Sequence, residues 1–370
     1  MNNNLNLEVN KFQRGLVKNV INIDIYNMII DHNVWVYHHT DQDGYTSGNI
    51  VERWLSERCI SEDVEIHLIP ADYNTDFSSF DIKEDDFVIF VDLSFTSKTF
   101  INISQYIYTK TNNIIWIDHH ASNVDLVQDP VISNIIDSWL ICVLGDKNNK
   151  YSAAMLTYCT LFDSIPECAP EYIKLCSDWD TWTHEMPNSI YLNEALNGDP
   201  NFRLVNEEGE INQDSTYIKL WEESTPTSMN KATPILNSLI EKGKPIIDDR
   251  RIKNEHYLRS NGFEFNLMGY SMLVCNQRNN SLLFGDKINE YDIVCPFVLQ
   301  ERNGKLIYTY SLFSAKADVD CQAIAELFGG GGHKGAAGFS LKWNLFTTNK
   351  LLLKFKLFIL KLKNKKGTIK

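Results

Sequence analysis

Four short stretches of this 370-residue chain carry residue types that can do chemistry: His39-Thr40-Asp41-Gln42-Asp43-Gly44, the lone Asp92, Asp118-His119-His120 and Ser177-Asp178-Trp179-Asp180. Carboxylate oxygens suit Mg²⁺ or Mn²⁺, and imidazole nitrogens pull the balance toward Mn²⁺. No cysteine stands in these stretches, which argues against a structural zinc site. Taken alone, Asp118-His119-His120 is equally a turn with a helix-capping Asp and two surface histidines. His39, Asp41 and Asp43 alternate, so an extended loop could aim all three into one pocket. With Asp92, His119 and Asp178 they supply six ligands, enough for two metals about 4 Å apart. Such a pair can activate a water, neutralise a phosphate and stabilise a leaving oxygen, and phosphoester hydrolysis is its natural use.

The surrounding pattern says how these residues meet. Val34–His38, Val64–Ile69, Phe87–Val91 and Ile114–Ile117 read as strands, rich in β-branched and aromatic residues. Helices are expected between them, at Tyr45–Arg58 and Lys98–Tyr108, which makes alternating β/α units and a mainly parallel sheet. His39, Asp92 and Asp118 all fall just past strand ends. In such sheets the carboxyl ends form one rim, so residues distant in sequence converge there.

Ser152–Phe162 and Pro170–Cys176 read as further helices, Ser152 capping the first rather than touching substrate. Residues 185–230 are irregular and polar. Pro234–Tyr257 reads as a charged helical connector, with a kink or break at Pro245. Beyond it, Phe263–Met268, Ser271–Asn276, Asp292–Leu299 and Leu306–Phe313 read as strands and Asp320–Phe328 as a helix, giving a second, α+β domain. Gly329-Gly330-Gly331-Gly332-His333-Lys334 then forms a glycine loop. Such a run can mark a mere turn, or it can offer backbone N–H groups and cations to a phosphate. The C-terminal end of the chain, from 341 onward, carries nine lysines and no acid among Leu and Phe, a basic amphipathic tail. It is either a solvated terminus or a contact for nucleic acid or an anionic surface.

Composition bounds the rest. The chain is long enough for two domains. Its content of 44% hydrophobic and 22% charged residues is a globular balance. A net charge of −13 argues against a general duplex binder, which needs a broad basic face. No apolar run is long enough to span a membrane, and the first residues lack a secretory signal. The eight cysteines contain no Cys-x-x-Cys pair and read as reduced, buried thiols of a cytoplasmic protein.

The order His-x-Asp-x-Asp-Gly, strand-Asp, strand-Asp-His-His and Asp in a Ser-Asp-Trp-Asp context resembles the DHH phosphoesterase superfamily. The Gly-Gly-Gly-Gly-His run with Ala336-Ala337-Gly338-Phe339 is similar to its DHHA1 domain. The likeness covers roughly residues 33–340. It implies an N-terminal DHH domain (33–230) after an arm (1–32), a helical linker (231–260), a smaller DHHA1 domain (261–342) and the tail (343–370), with the active site in the cleft. It also implies a bimetal centre, usually Mn²⁺, with Mg²⁺ the second choice. On that resemblance His39, Asp41, Asp43, Asp92, His119 and Asp178 are metal ligands, with Asp92 bridging. His120 touches the phosphate, and Asp118 orients His119. Asp180 is the rival to Asp178. Gly330, Gly331, Gly332, His333 and Lys334 position the substrate. Phe313 is a departure, since many DHHA1 domains carry Arg at that place, and Lys316 is the nearby substitute.

The function so implied is a metal-dependent phosphodiesterase that trims short single-stranded oligonucleotides to mononucleotides, in the manner of an oligoribonuclease or single-strand exonuclease. A phosphoesterase of small nucleotides (dinucleotides, cyclic dinucleotides, nucleoside 3′,5′-bisphosphate) is the alternative, and a scaffold that has lost catalysis is the non-enzyme rival. The implied partners are single-stranded nucleic acid or a small nucleotide, and a homodimer is compatible with this reading.

Overall fold

Phe87–Val91 (β4) and Ile114–Asp118 (β5) are buried along their whole length, as strands must be in the middle of a sheet covered on both faces. They belong to a computed structural model that describes residues 17–20, 29, 32–57, 64–72, 75–145, 150–224, 233–278, 283–302, 304–332 and 334–346. The chain divides into two units, 1–244 and 245–370.

In the first unit, β4 and β5 are joined by β1 (Val17–Val20), β2 (Val34–His38), β3 (Ile66–Pro70) and β6 (Ile141–Leu144) in the order β1-β6-β5-β4-β2-β3. Strands β2 to β6 run parallel, and β1 pairs antiparallel with β6. Strand alternation sends successive side chains to opposite faces. Val36, Ile89, Val91, Ile115 and Ile117 therefore form one core, packed with apolar residues of α1 (Gln42–Ser56), α5 (Ala153–Leu161), α6 (Glu171–Asp180), α7 (Ser189–Asn197) and α8 (Thr216–Glu223). Tyr37, Val88, Phe90 and Trp116 form the other, with α2 (Ser97–Ile107), α3 (Ala121–Leu126) and α4 (Pro130–Ile136).

The strand order creates the feature that matters for function. From β2 the chain crosses by α1 to the edge strand β3. From β4 it crosses by α2, on the opposite face, toward β5. Neighbouring strands β2 and β4 thus send their connections to opposite sides, which leaves a crevice at their carboxyl ends.

The sequence missed some elements. Strand β6 is only four residues long, and β1 makes part of the arm an edge strand. Helices α7 and α8 lie within the segment read as irregular. The connector, α9 (Pro234–Asn261), continues as helix through Pro245, the residue at which the two units divide.

The second unit contains β7 (Gly262–Leu267), β8 (Tyr270–Asn276), α10 (Lys287–Glu290), β9 (Ile293–Arg302), β10 (Lys305–Phe313), α11 (Cys321–Glu326), β11 (Gly331–Gly332) and β12 (Ala336–Leu341). Its sheet order is β11-β12-β10-β9-β8-β7, with only the β8–β9 pair parallel. Cys321, Ile324 and Ala325 of α11 pack on Cys295, Tyr310 and Leu312 of the sheet. This is the expected α+β domain. Among the described residues, no helix is long and apolar enough to cross a membrane, and the seven described cysteines are free thiols. The lysine tail falls almost wholly outside the described residues.

Candidate metal centre

The crevice at β2 and β4 is lined by the first motif. Only His39 and Thr40 separate β2 from Asp41, which caps α1, its Oδ1 accepting from Gly44 N at 3.0 Å. The helix therefore starts at Gln42, and Asp43 sits in its first turn instead of on an extended loop. Asp43 is buried, and its carboxylate accepts from Ala153 N (2.8 Å) and Ala154 N (3.1 Å). These amides open α5 and have no partner within their own helix. Asp41 Oδ2 lies 2.8 Å from His39 Nδ1.

Asp92, the residue after β4, is buried and has φ of 56°. Asp is one of the few residues that tolerates this left-handed region. His119, just past β5, is also buried, and its Nε2 lies 3.6 Å from Asp92 Oδ1, 3.9 Å from Asp43 Oδ2 and 3.2 Å from Asp180 Oδ2. Three groups result with ligand atoms close enough to share an ion: His39/Asp41/Asp92, Asp92/His119/His120 and Asp43/His119/Asp180. Asp92 and His119 each belong to two of them.

Two expectations change. Asp178 stands in none of these groups. Its Oδ1 accepts from Glu185 N (2.7 Å) and Met186 N (3.2 Å), so it builds the turn after α6, and Asp180 takes the place beside His119. The other oxygen of Asp178 has no hydrogen-bond partner. Asp118 holds His120: its Oδ1 meets His120 Nδ1 at 2.9 Å and its Oδ2 accepts from His120 N at 2.8 Å. Asn123, which the sequence reading passed over, donates to Asp118 Oδ2 at 2.6 Å and is fully buried. The available signal was an amide in the first turn of a helix directly after the motif.

Charge is concentrated here against its own preference. Burial, and then the neighbouring Asp41, Asp43 and Asp180 carboxylates, hold Asp92 well above the usual carboxylate range. Asp180 is raised in the same way, and burial pushes Asp43 up to about 6. Burial opposes charge on His120, but the Asp118 carboxylate outweighs it and raises the imidazole to about 9. The Asp118 carboxylate thus favours the protonated His120 ring. Burial lowers His38 to about 4, and its Nδ1 contacts the carbonyl of His39 at 2.8 Å. That makes His38 a neutral support for the loop.

The residues fit divalent cations. Crowded buried carboxylates destabilise one another unless a positive charge lies among them, and Asp92 Oδ2 and Asp180 Oδ2 are buried with no hydrogen-bond partner. The donor set is carboxylate oxygen and imidazole nitrogen, as Mn²⁺ or Mg²⁺ requires.

Gly44 makes the loop possible. A Cβ at this position would overlap the carbonyl oxygen, carbonyl carbon and Cα of His39, all backbone atoms that cannot swing away. Gly44→Ala is expected to cost about 1–3 kcal/mol through overpacking and to weaken Mn²⁺ binding by displacing His39. Denaturant titration and calorimetric Mn²⁺ titration measure the two effects.

Of the remaining candidates, Ser152 adjoins Asp43 and the others belong to the second unit. Ser152 caps α5, accepting from Met155 N. Gly330, Gly331, Gly332 and Lys334 belong to the second unit, and His333 lies outside the described residues. A Cβ on Gly330 would overlap the carbonyl oxygen of Gly338, so close approach to β12 is itself a reason for glycine there. Phe313 is buried, and the ammonium of Lys316 lies 2.7 Å from Asp292 Oδ1.

No family model matches the chain. It is 24% identical over 320 residues to uncharacterized protein R106 of Acanthamoeba polyphaga mimivirus, covering 83% of this chain and 67% of that one. Among solved structures it is similar to the DHH domain of a member of a family of ribosomal proteins, with a TM-score of 0.51, 14% identity and coverage of 92% of this chain and 88% of that one. A pGpG-specific phosphodiesterase from Vibrio cholerae gives a TM-score of 0.44 at 11% identity, with 90% and 99% covered. The fold is that of the DHH proteins. Within that fold, the chain is one whose strand ends gather histidines and carboxylates into a single cluster.

Proposed function

We propose that the chain is a divalent-metal-dependent phosphoesterase that hydrolyses short single-stranded oligonucleotides to mononucleotides. The observation that carries this reading is the sharing of Asp92 and His119 among three metal-capable groups, which suits two neighbouring cations with Asp92 between them. His39, Asp41, Asp43, Asp92, His119 and Asp180 would hold the cations, Mn²⁺ before Mg²⁺. Bound there, such a pair supplies Lewis-acid stabilisation of a phosphate and a nucleophilic water near neutral pH.

The chain's own residues supply the rest. His39, Asp92 and His120 border a recess whose lining also includes Phe77, Ser94 and Thr99. His120, whose Nδ1 meets Asp118 and whose ring is partly exposed, would donate to a phosphate oxygen in that recess when protonated. Asn123 fixes Asp118, and through it the His120 ring.

A screen with purified protein tests this: di- to pentanucleotides, linear and cyclic dinucleotides and a nucleoside 3′,5′-bisphosphate, each with Mn²⁺ and again with EDTA. Mononucleotide release from the oligonucleotides that is lost on chelation is the expected result. Cleavage of another ester with the oligonucleotides left intact would remove the oligonucleotide assignment, and inertness toward all of them would remove the enzyme.

A further inference from the structure

The two tryptophans that flank Asp180 belong to neither core. Tyr172, Ile173 and Leu175 of α6 pack into the apolar cluster on their face of the sheet, but Trp179 and Trp182 do not. Both are half-buried, and His184 is exposed. The three rings contact one another, with centroids 5.8 Å apart for Trp179–Trp182, 5.2 Å for Trp179–His184 and 4.3 Å for Trp182–His184.

The turn that displays these rings is conformationally unfavourable. Trp182 has φ of 59°, a region that bulky side chains avoid, and His184, with φ of 53°, continues the left-handed turn. Asp178 holds the turn in place. Its carboxylate takes Glu185 N and Met186 N, and its carbonyl oxygen takes Thr183 N at 3.0 Å. Ending a helix requires none of this, and such strain gathers where a site needs a particular shape. Here it leaves aromatic surface in solvent within two residues of a carboxylate of the cluster.

We propose that Trp179, Trp182 and His184 form a stacking platform for a nucleobase of the substrate, at the end of the helix that carries Asp180 of the metal-capable cluster. The proposal rests on the phosphoesterase reading and narrows it to esters of nucleosides. Stacking uses the π face that every base presents, so it confers affinity without base identity. Substrates without a base, such as inorganic polyphosphate, gain nothing from it.

The test compares a 5′-phosphorylated adenylyl dinucleotide with its analogue bearing tetrahydrofuran in place of each nucleoside, both with Mn²⁺. In the wild-type protein kcat/KM is expected to be roughly ten- to a hundred-fold higher for the dinucleotide, the range one stacked base provides. In Trp182→Ala and Trp179→Ala that ratio should fall toward one, while Trp182→Phe should keep most of it. A wild-type ratio near one overturns the platform, whether or not the alanine variants fold. So does an alanine variant that slows both substrates equally, which marks the tryptophans as structural. If the wild type cleaves neither compound, the phosphoesterase reading falls by itself. Equilibrium binding of the same pair then decides the platform: tighter dinucleotide binding that Trp182→Ala abolishes supports it, and equal binding overturns it.

Discussion

Asp92→Asn is expected to abolish Mn²⁺-dependent hydrolysis, because Asp92 alone joins the His39/Asp41 group to the His119/His120 group. The loss should be at least about 10³-fold, since metal stabilisation of a transition state amounts to several kcal/mol and each step of about 1.4 kcal/mol is a factor of ten in rate. Asn suits this position: it matches Asp in shape and also tolerates the left-handed backbone found there. The variant should therefore fold. Metal-free, it should melt above metal-free wild type at neutral pH. A carboxyl group whose folded value lies above its unfolded value opposes folding increasingly as pH rises between the two, and Asp92 is held well above the ordinary range. Removing the charge removes that opposition. Steady-state kinetics, Mn²⁺ titration and thermal melts in EDTA measure the three effects. A variant that retained both turnover and metal would exclude Asp92 from the centre.

The second large effect separates two carboxylates that lie two residues apart. Asp180→Asn alters the Asp43/His119/Asp180 group. It is expected to weaken Mn²⁺ binding and cut turnover by about 10²-fold or more, and, because its carboxyl is held above the ordinary range like that of Asp92, to raise metal-free stability at neutral pH. Asp178→Ala should do the reverse. It strips the acceptor from Glu185 N and Met186 N, at a cost of about 1–3 kcal/mol, and keeps the Mn²⁺ stoichiometry. Calorimetric titration and denaturant unfolding of both variants give a two-by-two comparison. The opposite pattern would restore Asp178 as the ligand.

That pair also shows where sequence reading ran out. On a helix, residues two apart are rotated by about 200° around the axis. One of Asp178 and Asp180 must face the crevice and the other must not. Which one does depends on how α6 is rotated against the sheet, and no local pattern carries that information. The strand ends were legible because β4 and β5 are continuous apolar runs stopped by Asp92 and by Asp118-His119-His120, and the topology of parallel sheets brings such ends together. Strand β6 was harder to see, being four residues long. Asp43 was misread as part of a loop because alternation of His39, Asp41 and Asp43 mimics an extended chain. The capping role of Asp41 sets the helix going before Asp43 is reached. Helices α7 and α8 are short and lie among polar turns, so their apolar faces were diluted below notice.

The crevice between β2 and β4 has a consequence for how the protein is made. Its contributors are spread from His39 to Asp180, and strand β3 is inserted in sequence between β2 and β4. A nascent chain that has emerged only through β4 holds a buried-to-be excess of negative charge and lacks both His119 and Asp180. The full cluster becomes available only when α6 has left the ribosome. Cation capture is then a late event that reports a finished domain, and divalent metal should slow unfolding of the complete first unit while leaving shorter translation products untouched.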